Sequence, residues 1–366
     1  MLTDDFDFSF PEDQIALRPL PRGEARMMAV SRTGALPEDF PLSPDPIHPD
    51  RAFGQAKDIL SILKPGDALA LNDTKVLRAR LSATLETGGE VEVLLVKPRA
   101  SEDPAAQFST WECMARPGRK LRVGTRVTFG DPERADLSAE VIEILPEGER
   151  VLRFSRGGAD FLAALETAGS IPLPPYIRRA ADAADAETYQ TVWAEHEGSV
   201  AAPTASLHIS EDLLRAIEAK GVRIAKLTLH VGAGTFRPVQ TDRIEDHPMH
   251  SETFTLPEES AAILNAARAA GHRIFAVGTT AARVLETCAD DTGKLSARSG
   301  ETNIFMYPGY RWKAVDGLLT NFHWPKSTLF MLVASRLGTA RAKDVYADAI
   351  ARDFRLFSYG DAMLIL

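Results

Sequence analysis

The strongest constraint on this chain is a break in its hydrophobic period. From residue 68 to 154 apolar residues tend to recur at every second place, as with Ala79, Leu81, Ala83 and Leu85. The runs are short, and Gly88-Gly89, Pro117-Gly118 and Asp131-Pro132 punctuate them. Alternation with regular turns and no helix between the runs predicts a small all-β barrel or sandwich. No run is long, so closing the sheet is the natural way to protect its edges.

On both sides of this stretch the period becomes helical. Residues 51–64 predict a helix with Phe53, Ala56, Ile59, Leu60 and Leu63 on one face, stopped by Pro65-Gly66. Further helices are expected over 160–168, 211–220 (capped by Ser210), 258–270, 280–289, 328–337 and 342–353. Strands are expected over 222–231, 273–277 and 362–366. Strand and helix in alternation imply a mixed α/β sheet with helices on its faces. The simplest organisation is an α/β main domain built from 1–67 and 156–366, with a β domain inserted at 68–155.

Forty-two basic residues face 51 acidic ones among 366, so bulk charge does not favour nucleic acid. A nucleic-acid partner would need a local patch. The stretch 116–126 supplies one, with Arg116, Arg119, Lys120, Arg122 and Arg126 and no acid, and Arg178-Arg179 adds a second spot. A solvated charged strand edge is the plain alternative. Two cysteines far apart, Cys113 and Cys288, exclude a disulfide scaffold and a cysteine zinc site. The N-terminal residues lack a basic start and an apolar stretch, and the apolar run 329–335 is too short to cross a bilayer. A monomeric cytoplasmic protein without metal or permanently bound cofactor is expected.

Several segments have the composition of a site. The segment 227–236, with His230, Gly232, Gly234 and Thr235, resembles the strand and glycine turn of methyltransferases that bind S-adenosylmethionine. It departs by placing His230 where an acid belongs, Phe236 where a glycine belongs, and Pro238 soon after. His247, His250 and Glu252 could hold a metal or form a polar ligand loop, although Pro248 breaks helical spacing. Gly278-Thr279-Thr280 joins a strand to a helix and could receive an anion or simply cap that helix. Lys326-Ser327-Thr328 has the ending of a phosphate loop, but Pro325 replaces the required glycine, which rejects a nucleotide triphosphatase. His323 and Lys326 remain able to meet a carboxylate or phosphate. The small residues of 198–205, including Ser199, Ala202, Pro203 and Thr204, allow close backbone approach to a ligand.

The order of these segments is more specific than any one of them. The chain resembles the S-adenosylmethionine:tRNA ribosyltransferase-isomerase family of queuosine biosynthesis. The resemblance rests on Leu71-Asn72-Asp73-Thr74-Lys75-Val76, Pro172-Leu173-Pro174-Pro175-Tyr176-Ile177 and Gly198-Ser199-Val200-Ala201-Ala202-Pro203-Thr204-Ala205. It continues through Thr228-Leu229-His230-Val231-Gly232-Ala233-Gly234-Thr235-Phe236, His250-Ser251-Glu252, Thr320-Asn321-Phe322-His323 and Phe357-Ser358-Tyr359-Gly360-Asp361. Ser206, Trp193, Trp324 and Glu301 depart from the family's usual residues.

The resemblance implies a Greek-key barrel inserted in an α/β domain. It also implies S-adenosylmethionine consumed as a ribosyl donor, and tRNA carrying 7-aminomethyl-7-deazaguanine as acceptor. Epoxyqueuosine in tRNA, adenine and methionine would be the products. On this reading His230, His250, Glu252 and His323 supply the proton transfers. Ser199, Ala202, Pro203, Thr204, Gly232, Gly234, Thr235, Thr279 and Lys326 hold the substrate. Arg116, Arg119, Lys120, Arg122, Arg178 and Arg179 face tRNA. An S-adenosylmethionine-dependent RNA methyltransferase would share the donor, and a non-enzymatic RNA-binding module would need only the basic patch.

Overall fold

In the computed structural model, residues 1–99, 107–130, 137–146, 148–232 and 239–366 are described. Two large sheets organise them. The larger has ten strands, with Arg223–Leu229, Ala68–Asn72, Ile274–Val277 and Gly317–Asn321 side by side and parallel at its centre. Ala362–Ile365 lies antiparallel to the last of these and parallel to Arg26–Val30, so both chain ends enter one sheet. Glu252–Leu256 and Arg298–Thr302 extend the opposite edge.

Parallel central strands are covered on both faces, and their composition says so. All residues of Ala68–Asn72 are buried. Ala68 and Ala70 enter one apolar core with helices Glu258–Ala269, Thr279–Cys288, Thr328–Leu337 and Thr339–Ala351. Leu69 and Leu71 point into the other, against Ile59, Ile62, Leu213 and Ile217. The helix Glu211–Ala219 starts as expected: the Ser210 hydroxyl accepts the Leu213 N–H.

The second sheet closes on itself. Arg80–Leu85, Glu90–Arg99, Ser109–Arg116, Arg150–Phe154, Leu137–Ile144 and Arg126–Phe129 form an antiparallel ring, completed by pairing of the first with the last. Three successive strands are followed by a fourth that returns beside the first, which is a Greek key. Helix Gly158–Ala168 packs Phe161 against Phe154 and Trp111 of the barrel core.

The expected boundaries of the insert move at both ends. Ala68–Asn72 belongs to the centre of the main sheet, because its alternating residues serve two cores at once. The barrel begins at Arg80 and keeps its packed helix and Gly169–Ser170, which pairs with Arg80 and Leu81. The expected helix over 51–64 is also corrected. Arg51–Gln55 is a strand paired with Arg26–Val30, and only Ile59–Ile62 is α-helical. Tertiary contacts decide this: buried Arg51 pairs with Asp344 and Asp348, and the Arg352 guanidinium covers the Phe53 ring.

Candidate active site

Ligands of open α/β sheets bind beyond the carboxyl ends of parallel strands. Here four such ends carry candidate site residues. Ala68–Asn72 runs into Asp73-Thr74, Arg223–Leu229 into His230-Val231, Ile274–Val277 into Gly278-Thr279, and Gly317–Asn321 into Phe322-His323.

A cavity of about 390 Å³ opens over the last three, within the usual range for small-molecule sites. Ala202, Pro203 and Thr204 form one wall, Thr279 and Thr280 another, and Asn321 and His323 the floor. The helix Thr279–Cys288 aims its N-terminus at this space, with Gly278 at φ 89° providing the bend. The buried Thr280 hydroxyl has no partner among the described residues. An aromatic cluster closes one side: Tyr176 stacks on Trp324 at 5.6 Å, and Trp324 meets Phe357 at 4.6 Å. Tyr176 also hydrogen-bonds Ser358.

His323 is half-buried in the cavity wall. Its Nε2 lies 2.8 Å from Thr320 Oγ1, and the Tyr346 hydroxyl accepts its backbone N–H. What exposure it keeps is to the enclosed cavity, and burial pushes its imidazole down to about 3, so it is neutral near pH 7. Asn321 donates to Phe357 O at 2.8 Å and meets buried His208 Nε2 at 3.3 Å.

A narrow slot adjoins the cavity and shares Leu329 with it. His250 and Glu252 line this slot rather than the main cavity. Glu252 starts a strand, pairs with Arg283 and accepts the Gly232 N–H at 2.9 Å. His230 lines neither space. It lies beneath the small-residue loop, with Nδ1 2.8 Å from Thr74 Oγ1, and burial, then neighbouring His196, lowers its pKa. The four proton-transfer candidates therefore occupy adjacent compartments, not one. They are joined through Val231 in the cavity wall and Gly232 on Glu252.

Other expectations fare differently. Ser199 acts from below: its hydroxyl donates to Ala201 O at 2.7 Å and accepts the Val231 N–H at 2.9 Å. Gly234 and Thr235 lie outside the described residues. Lys326 does not line the cavity, because Asp4 and Asp7 hold its ammonium at 2.9 and 3.0 Å.

Arg179 is a bidentate partner of buried Asp185, at 2.6 and 2.7 Å. Burial would raise the Asp185 carboxyl, but the Arg179 bond and further hydrogen bonds bring it down to about 2. Arg179 is therefore committed to the fold. Arg178 is exposed, faces Glu12 at 3.3 Å, and sits on the rim of the main cavity. Arg116, Arg119 and Arg122 are exposed and have no carboxylate partner among the described residues, while Lys120 donates to Glu90 O.

An open groove of about 900 Å³ runs from Arg116 on the barrel past Leu173 and Ile177 to Pro175 and Arg178, where it meets the cavity. Sequence reasoning did not assign Thr74, Tyr176, Arg283 or Phe357 to the site. Thr74, Tyr176 and Phe357 were visible only inside motifs, and nothing local marks Arg283. Asp73, Glu195 and His196 have ligand atoms within 4.8 Å of one another, but Asp73 already accepts the Thr228 hydroxyl. Among the described residues no helix is long and apolar enough to cross a membrane.

The fold and site define an α/β protein with a cavity at its parallel strand ends and a β-barrel beside that cavity. A family model described as queuosine biosynthesis protein matches residues 3–365, and the chain belongs to that family. Proteins named S-adenosylmethionine:tRNA ribosyltransferase-isomerase from two strains of Clostridium kluyveri are each 46% identical over 364 residues, covering 99% of this chain and 98% of theirs. A crystal structure described as S-adenosylmethionine tRNA ribosyltransferase from Thermotoga maritima matches with a TM-score of 0.52 and 31% identity, over 99% of this chain and 100% of that one.

Proposed function

We propose that this chain, in the cytoplasm, transfers and isomerises the ribosyl group of S-adenosylmethionine onto 7-aminomethyl-7-deazaguanine at the wobble position of tRNA. Adenine and methionine are released. The observation that carries this reading is the continuity of the aromatic-walled cavity with the groove that leads to the barrel's basic edge. A cavity alone would suit any nucleoside, whereas a groove entering it from a basic rim suits a nucleoside still attached to a polymer.

The chemistry sets three demands. A sulfonium acidifies the hydrogens on the ribose 5′ carbon, and a base must remove one. Adenine must leave with a proton or a hydrogen bond. The acceptor amine must be neutral to form its new bond to the sugar, and methionine departs with the sulfur electron pair as a sugar oxygen closes the epoxide on that carbon. His323, neutral and fixed by Thr320, is suited to hydrogen-bond the leaving base rather than to remove a carbon-bound proton. His230, His250 and Glu252 are the proton-transfer groups on the other side. Tyr176, Trp324 and Phe357 offer stacking faces, and the exposed Arg116, Arg119, Lys120, Arg122 and Arg178 offer phosphate contacts.

The test mixes protein, S-adenosylmethionine and tRNA bearing the deazaguanine. Free adenine and a mass gain on the tRNA are expected, with a labelled methyl group recovered in methionine. Label transferred to RNA would instead establish a methyltransferase. RNA binding without adenine release would establish a binding module.

A further inference from the structure

Lys326 was expected to meet the methionyl carboxylate or a tRNA phosphate, and Asp4 and Asp7 hold its ammonium instead. The slot beside the cavity contains another cation. Arg283 lies one helical turn beyond Thr279 and Thr280, with its side chain only 8% exposed. Its Nη1 is paired with Glu252, while Nε and Nη2 are buried with no partner among the described residues. These two nitrogens form the side edge of the guanidinium, where two N–H bonds run parallel and match the two oxygens of a carboxylate. Buried donors left unmet are costly, so a slot in which this edge is unpaired favours an anion to meet it.

The surroundings narrow the anion's class. The slot measures about 30 Å³ against about 390 Å³ for the cavity, so a base belongs in the cavity and not in the slot. Its other walls include Met249, Met306 and Leu332, which suit an aliphatic thioether arm. Leu329 belongs to both spaces, so a ligand whose nucleoside fills the cavity can extend its arm into the slot there.

We propose that the Nε–Nη2 edge of Arg283 binds the carboxylate of the methionyl arm of S-adenosylmethionine, and that the slot is the subsite for that arm. This rests on the cavity being the nucleoside site. Glu252, held by the same guanidinium, lines the same slot.

Binding of three probes by calorimetry tests the proposal: S-adenosylhomocysteine, its carboxyl methyl ester, and 5′-methylthioadenosine, which lacks the amino-acid arm. The wild-type protein should bind the free acid about 10–100-fold more tightly than the ester or the truncated nucleoside. Equal affinity for acid and ester overturns the proposal with no variant needed. Arg283→Lys keeps a charge against Glu252 but loses the fork, and should reduce the acid-over-ester preference to a few-fold while leaving methylthioadenosine affinity unchanged. An undiminished preference in that variant overturns the assignment to Arg283. Failure of the wild type to bind any of the three overturns the nucleoside reading of the cavity itself, a result distinct from the other two.

Discussion

Gly198 lies so close to the imidazole of His230 that a Cβ at this position would stand 2.9 Å from ring atoms Cε1 and Nδ1. Its φ of 148° is also one that side-chain-bearing residues rarely adopt. The loop below the cavity and the histidine at the end of the Arg223–Leu229 strand are therefore fitted to each other through a missing side chain. Gly198→Ala should cost about 1–3 kcal/mol in stability and displace the ring from Thr74. Adenine release in single turnover should fall at least tenfold, and thermal unfolding reports the stability term separately. A variant with both properties of the wild type would contradict this coupling.

The basic edge of the barrel and Arg179 should respond differently to neutralisation. Replacing Arg116, Arg119, Lys120 and Arg122 by Gln should weaken tRNA binding. It should also flatten the plot of log affinity against log salt, by about 0.7–0.9 for each phosphate that is no longer neutralised. Arg179→Gln should leave the salt slope unchanged and lower the unfolding midpoint, because it strands the buried Asp185 carboxylate. Filter binding across a salt series, with a melting curve for each variant, distinguishes the two.

Lys326 sits at φ 55° and joins the N-terminal segment to the loop before helix Thr328–Leu337. Lys326→Ala should leave the KM for S-adenosylmethionine within about twofold, since Lys326 does not line the cavity and its ammonium is taken by Asp4 and Asp7. Residues near Asp4 and Asp7 should become more accessible to limited proteolysis. A tenfold rise in KM would return Lys326 to the substrate site.

His208 is buried against Asn321, and burial lowers its imidazole to about 4. Between pH 6.5 and about 4 the unfolded chain holds this proton and the folded chain does not. The stabilising contribution is thus complete above pH 6.5 and lost as pH falls toward 4, by roughly 3 kcal/mol if that histidine titrates independently. Urea midpoints at pH 7, 6, 5 and 4 should fall more steeply for the wild type than for His208→Gln. Parallel curves would show that the site is protonated before unfolding.

Local patterns were enough for the barrel strands, for most helices of the second half, and for the Ser210 cap. Each of these depends on neighbours within a few residues. The segment 51–64 was misread because its apolar spacing satisfies a helix as well as a strand followed by one helical turn. Pairing with Arg26–Val30 selects the latter. Ala68–Asn72 shows how a strand buried on both faces, read beside alternating strands, is assigned to the wrong sheet.

The site divides in the same way. His323, Thr279 and the 202–204 loop were recognisable as polar or small groups at element junctions, because strand ends are where a parallel sheet presents its side chains to a ligand. Chain order alone carried the family and the alternation of barrel and α/β segments. Partner choice needed three dimensions: Lys326 taken by Asp4 and Asp7, Arg179 by Asp185, Glu252 by Arg283, and His230 set apart from His323. Charge and hydrogen-bond capacity are properties of a residue type, but which of two competing partners satisfies them depends on distances between segments that lie up to hundreds of residues apart in the chain.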